Sequence, residues 1–137
     1  MNPSDNLELA KHLTSPDRGV PQEAAHRGAV GRAYYAAFII ARDALLRAGF
    51  PIPDTGKAHA VVAEELKKSS NTDVAAAGGS LEDLRTQRNR ADYDLGARPH
   101  KGNPFDGLRA AFALAAAKTI VAAVEDCARK DKKLGLK

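Results

Sequence analysis

The run Arg88-Asn89-Arg90-Ala91-Asp92-Tyr93-Asp94-Leu95 gathers two guanidiniums, an amide, two carboxylates and a phenol within about two helical turns. Arg88 suits a phosphate, because its planar fork engages two oxygens at once and never loses its charge. Arg85 lies one turn earlier on the same helical face, so the two form one basic strip. Chemistry on a phosphate ester needs a base near neutrality, an acid for the leaving oxygen, and cations for the charge that builds on phosphorus. Arg88 fits the last of these. For the base, Tyr93 has an ordinary pKa of about 10. Asp92 serves only where burial raises its pKa against a neighbouring arginine. His59 and His100 are the reserve candidates.

A structural reading stands beside each chemical one. Arg88 and Asp92 are four apart and fit a helical ion pair. Such a pair is worth only about 0.2–0.5 kcal/mol, and Arg before Asp is the weaker order, so pairing alone explains the motif poorly. Tyr93 and Tyr34 read as packing tyrosines, His59 as a helix-packing histidine and His100 as a loop residue. Arg32 and Tyr35 fall on the flank of an apolar face, where they either line a cleft or sit in solvent.

Those side chains need helices to hold them. Ser80 followed by Asp83 is a capping-box pattern, which predicts a helix starting at Ser80, carrying the motif and closing at Gly96. Asn71 to Gly79 is ambiguous: its alanines favour helix, and Gly78-Gly79 predicts an end or a kink. Upstream, Pro21 opens a helix running to about Gly49, with Val30, Tyr34, Phe38, Ala41 and Leu45 on one face. Its many alanines predict a central helix buried on most sides. A third helix covers about Lys57 to Lys68, with His59, Val62 and Leu66 on a stripe. Ser4 caps a short first helix carrying Leu7, Ala10 and Leu13, which Ser15-Pro16 ends. Asn103-Pro104 with Asp106 starts the last helix, whose stripe is Leu108, Phe112, Ala116, Ile120, Ala123 and Cys127. The expected fold is all-α: an antiparallel bundle of four long helices plus a short N-terminal one.

The whole chain of 137 residues fits one domain, with a core at about 21–128 and a basic tail at 129–137 read as a solvated helix end. The net charge of +4 permits an acidic partner without demanding one. The single cysteine, Cys127, excludes an internal disulfide and suits a reducing compartment. The polar N-terminus lacks a signal-peptide core and no apolar run reaches membrane length, so a cytoplasmic protein is expected. Four scattered histidines give no metal spacing. Phosphate-loop and nucleophile-elbow glycine motifs are missing, as is a di-iron Glu-x-x-His pair. With 5% aromatics there is no platform for stacking single-stranded RNA.

Two stretches resemble a known family. Gly31 to Leu46, GRAYYAAFIIARDALL, resembles the second helix of HEPN-domain proteins. RNRADYDL resembles the motif helix of that superfamily, in particular of small stand-alone members whose motif helix ends in Ala-Asp-Tyr. The order also matches: a Tyr-Tyr helix, a loop, a His-containing helix, the Arg motif helix and a final helix, over roughly Pro21 to Ala128. The resemblance implies an all-α bundle, usually a homodimer, and in many members a metal-independent ribonuclease needing no cofactor. The family motif is an Arg, often a polar neighbour, then three or more residues and a His. It maps onto Arg88 and Asn89, and its histidine position falls on or near Tyr93.

From that resemblance come a catalytic set of Arg88, Asn89, Asp92 and Tyr93, and an RNA- or nucleotide-binding set of Arg85, Arg32, Tyr35 and Arg90. It also implies a role as toxin or defence effector. The implied partner is a minimal nucleotidyltransferase, whose natural target is Tyr93. The missing histidine supports an alternative: a non-catalytic HEPN module that dimerises and binds RNA, a nucleotide or a protein partner at the same basic cleft.

Overall fold

The computed structural model of the chain describes residues 2–14, 22–93 and 107–137. Among them are five helices: α1 (Pro3–Thr14), α2 (Gln22–Arg47), α3 (Ala58–Lys67), α4 (Thr72–Tyr93) and α5 (Gly107–Lys130). No strand occurs among the described residues, and the fold is an all-α bundle. No helix there is long and apolar enough to cross a membrane. The expected boundaries at Ser15-Pro16, Pro21, Gly96 and Asn103-Pro104 lie outside the described residues.

α2 is the hub, touching all four other helices. Ala29, Val30, Ala33, Tyr34, Ala36, Ala37, Phe38, Ala41, Ala44 and Leu45 are all buried on it, a face too broad for a helix with one neighbour. The alanines let neighbouring backbones approach, as the sequence implied. Its end is a Schellman turn. Gly49, at φ 92°, donates its N–H to Leu46 O, and Phe50 donates to Leu45 O, each at 3.0 Å.

Several elements differ from the sequence reading. α1 is capped by Asn2, whose Oδ1 accepts from the Ser4 N–H at 3.0 Å, so Ser4 belongs to the first turn. α4 begins eight residues before Ser80 and runs straight through Gly78-Gly79. Its cap is Asn71, whose Oδ1 accepts from the N–H groups of Asp73 and Val74 at 3.0 and 3.1 Å. Gly78 serves packing instead of termination: a Cβ there would stand 2.7 Å from Ala63 O and 2.9 Å from Lys67 N of α3.

In α5 the buried stripe is Ala110, Ala113, Leu114, Ala117, Ile120, Val121, Val124 and Cys127, while Leu108 and Phe112 are exposed at 63% and 66%. An alanine-rich helix carries apolar residues on more than one face, and here the face of Leu114, Ile120, Val121 and Val124 meets the core. The basic tail is also folded. Leu134 and Leu136 are buried. Ser69 Oγ donates to Leu134 O at 2.5 Å, the Ser70 N–H donates to Gly135 O at 3.0 Å, and Lys133 Nζ donates to Ala48 O at 2.8 Å. Asp131 holds the turn by accepting from the N–H groups of Lys133 and Gly135. The tail therefore clasps the α3–α4 corner instead of fraying into water.

Candidate functional site

Neighbouring residues on a helix point about 100° apart, so Tyr34 and Tyr35 face different surroundings. Tyr34 is fully buried and Tyr35 is 37% exposed. Phe38, one turn after Tyr34, stacks on it with ring centroids 5.9 Å apart. α3 then delivers His59 in its first turn. The imidazole stacks on Phe38 at 4.2 Å, and its Nδ1 shares a 2.5 Å hydrogen bond with Tyr34 Oη. Two contacts from α2 thus fix both the plane and the rotation of a half-buried histidine ring.

α4 supplies the charge. Its buried stripe runs Val74, Ala77, Leu81, Leu84, Arg88, Ala91, which places an arginine where the period calls for an apolar side chain. The exception is accommodated by aromatic faces. Arg88 Cζ lies 5.0 Å from the Tyr34 ring centroid and 5.3 Å from that of Tyr35, so the guanidinium sits against two rings. Only 6% of Arg88 is exposed. Arg85 lies one turn earlier, half-buried, and its Nε has no hydrogen-bond partner among the described residues. Arg27 of α2 ties down the end of α4, its Nη1 donating to Arg90 O at 3.1 Å and Ala91 O at 3.2 Å.

The electrostatics follow from this packing. Burial pushes the Tyr34 phenol up to about 12, outweighing Arg85 and Arg88, which pull it down. Burial also lowers the His59 pKa, and the two arginines lower it further. At neutral pH the cluster therefore holds an un-ionised phenol and a neutral imidazole beside two permanent cations. Such a set can grip an anion and accept a proton next to it. Alongside His59 opens a groove of about 660 Å³ lined by Phe38, Arg42, Ile52, Pro53 and Thr55 among others.

Of the residues named from sequence, Arg85, Arg88 and Tyr35 come together. Arg32 is exposed on α2, one turn before Tyr35. Asn89 and Arg90 are exposed on faces of α4 other than the one carrying Arg88. Asp92 and Tyr93 belong to the last turn of α4; their side chains, and His100, lie outside the described residues. Sequence reasoning assigned Tyr34 to packing and kept His59 in reserve, yet these two share a 2.5 Å hydrogen bond. The available signal was a histidine on the same stripe as Val62 and Leu66, since a polar ring edge on an apolar stripe needs a partner.

No group of three or more His, Cys, Asp or Glu side chains placed to hold a metal occurs among the described residues. No protein-family model, curated protein or solved structure matches the chain.

Proposed function

We propose that the chain is a HEPN-type helical module that binds RNA or a nucleotide through the phosphate, at the face where Arg85 and Arg88 meet Tyr34, Tyr35 and His59. One observation carries this reading: two arginines of one helix converge on a polar cluster that lies at the edge of the core. A cation held between rings in a helix's apolar stripe is costly to bury and adds little packing that a leucine would not. Its use is a fixed positive charge. Arg88 supplies that charge from between the rings, and the more accessible Arg85 meets the phosphate.

The same reading includes a homodimer and a protein partner. In it the motif helices of two copies lie beside one cleft, and a nucleotidyltransferase partner modifies Tyr93 at the end of α4. Light scattering on the purified chain checks the first, and intact-mass measurement after incubation with such an enzyme and nucleotide checks the second.

The direct test is binding of a fluorescent single-stranded RNA as salt is raised. Wild-type affinity falls steeply with salt, and Arg85→Ala weakens binding across sequences and lowers the salt slope by about one. Salt-independent binding, or an Arg85→Ala protein that binds as wild type does, overturns the proposal.

A further inference from the structure

We infer that the groove between α4 and α5 is the docking surface for a basic amphipathic helix of a partner protein. The inference stands apart from the RNA-binding reading, since Arg85 and Arg88 do not line this groove.

The groove exists because α4 and α5 meet there through small side chains. Two cavities, of about 230 and about 380 Å³, share Ser80 and follow one another along the helix pair. Leu84, Ala113 and Ala116 lie in the first, and Ala77, Ile120 and Ala123 in the second. The run along α5 from Arg109 to Asp126 measures about 26 Å, the length of a helix of about five turns. A groove between two packed helices is the shape that accepts a third, whose ridge of large side chains enters it. The alanines let the backbone of that helix come close.

Exposed apolar surface gathers at the same place. Among the described residues Phe112 and Leu108 are the most exposed large hydrophobics, and Phe112 forms part of the wall of the first cavity. An aromatic side chain left in water beside an apolar groove marks a surface that another protein covers, and aromatics are favoured anchors of such contacts.

Charge selects the occupant. The chain carries a net charge of +4, yet Asp73, Asp83 and Asp126 border the groove against Arg109 alone. Asp126 also bonds Arg129 of its own helix, so Asp73 and Asp83, one in each cavity, set the field. Such a rim repels the phosphates of a nucleic acid. A second copy of the chain brings the same excess of carboxylates and the same alanine floor. A helix with lysines or arginines flanking a leucine stripe satisfies the rim and fills the floor together.

The experiment titrates the full chain into fluorescent synthetic helices of about 18 residues with leucines at i, i+3, i+4 and i+7. One has lysines at the other positions, a second has glutamates, and a third has lysines but glutamine in place of leucine. The lysine–leucine helix binds at least about 10-fold more tightly than either of the others, and its affinity falls as salt is raised. Phe112→Ser and Ala76→Trp, the second filling the groove from its wall, each weaken it by about 10-fold. Asp73→Lys with Asp83→Lys turns the preference to the glutamate helix, and Arg85→Ala binds as wild type does. All four groove positions are exposed, so the variants keep the wild-type melt. Should one fail to fold, the others decide. Equal binding of the lysine and glutamate helices, undiminished binding of the glutamine helix, or affinity unchanged by Phe112→Ser and Ala76→Trp overturns the inference. So does a wild-type dimer in light scattering that Ala76→Trp dissolves, because a second copy then occupies the groove.

Discussion

A neutral imidazole and a neutral phenol packed beneath two guanidiniums make stability depend on pH at both ends of the scale. His59 titrates lower in the folded chain than in the unfolded one. Below its unfolded value of about 6.5 the unfolded state therefore binds the proton first. The stability His59 contributes is complete above that value and is lost as pH falls through the lowered folded pKa. Tyr34 has the opposite sign: its folded value of about 12 lies above the unfolded one, so its contribution is complete below about 10 and is lost between there and about 12. Urea midpoints across pH check both limbs. His59→Gln flattens the acid limb, and Tyr34→Phe flattens the alkaline one. The sequence made Arg88 and Arg85 legible because arginine in a helical strip has few bland uses. Tyr34 and His59 were not legible as a pair, because their meeting depends on how α3 seats against α2, which no local spacing encodes. Asn89 and Arg90 follow Arg88 in sequence, but at 100° per residue they turn away from it.

Two adjacent glycines separate what a helix wants from what its neighbour allows. Gly79 has open space where a side chain would go, whereas Gly78 faces the α3 backbone at under 3 Å. Gly79→Ala gains helix propensity and raises stability by about 0.5–1 kcal/mol. Gly78→Ala gains the same propensity but forces α3 away, for a net loss of about 1–2 kcal/mol. Denaturant midpoints at constant m-value separate the two. Equal gains would mean that α3 and α4 do not pack as closely as described. The pair also explains why the start of α4 was misplaced from sequence. Gly-Gly is a stop signal when only local conformation is weighed, and it becomes a contact surface once a second helix is present. The end of α2 was legible because its signals are local: Gly49 for the turn, then Pro51 and Pro53 against continuation. The α5 stripe was only half legible, since Leu108 and Phe112 satisfy the period as well as the residues that are buried.

At the scale of the molecule, buried apolar residues from every helix and from the tail join one cluster. The all-α architecture was legible from period and composition, but the folded tail was not. Its charges read as solvent-facing, and the two leucines that anchor it are too few to show a pattern. Leu134 is fully buried with its backbone at φ 56°, a conformation that side chains other than glycine seldom adopt. The surrounding contacts outweigh that strain. They also join Ser69 and Ser70 to residues 65 positions away in the chain. A contact closed over so long a span forms after the helix pairs have docked, so it is weak in the folding transition state. Leu134→Ala is therefore expected to lose about 2–4 kcal/mol and to express it as unfolding about 30-fold faster or more, at a nearly unchanged refolding rate. Stopped-flow kinetics checks this, and slowed refolding would place the tail in the folding nucleus instead. The clasp thus acts on the exit from the native state and hardly on the entrance. It governs how long a folded molecule lasts against proteolysis between openings, whatever the helices alone decide about how quickly the chain first folds.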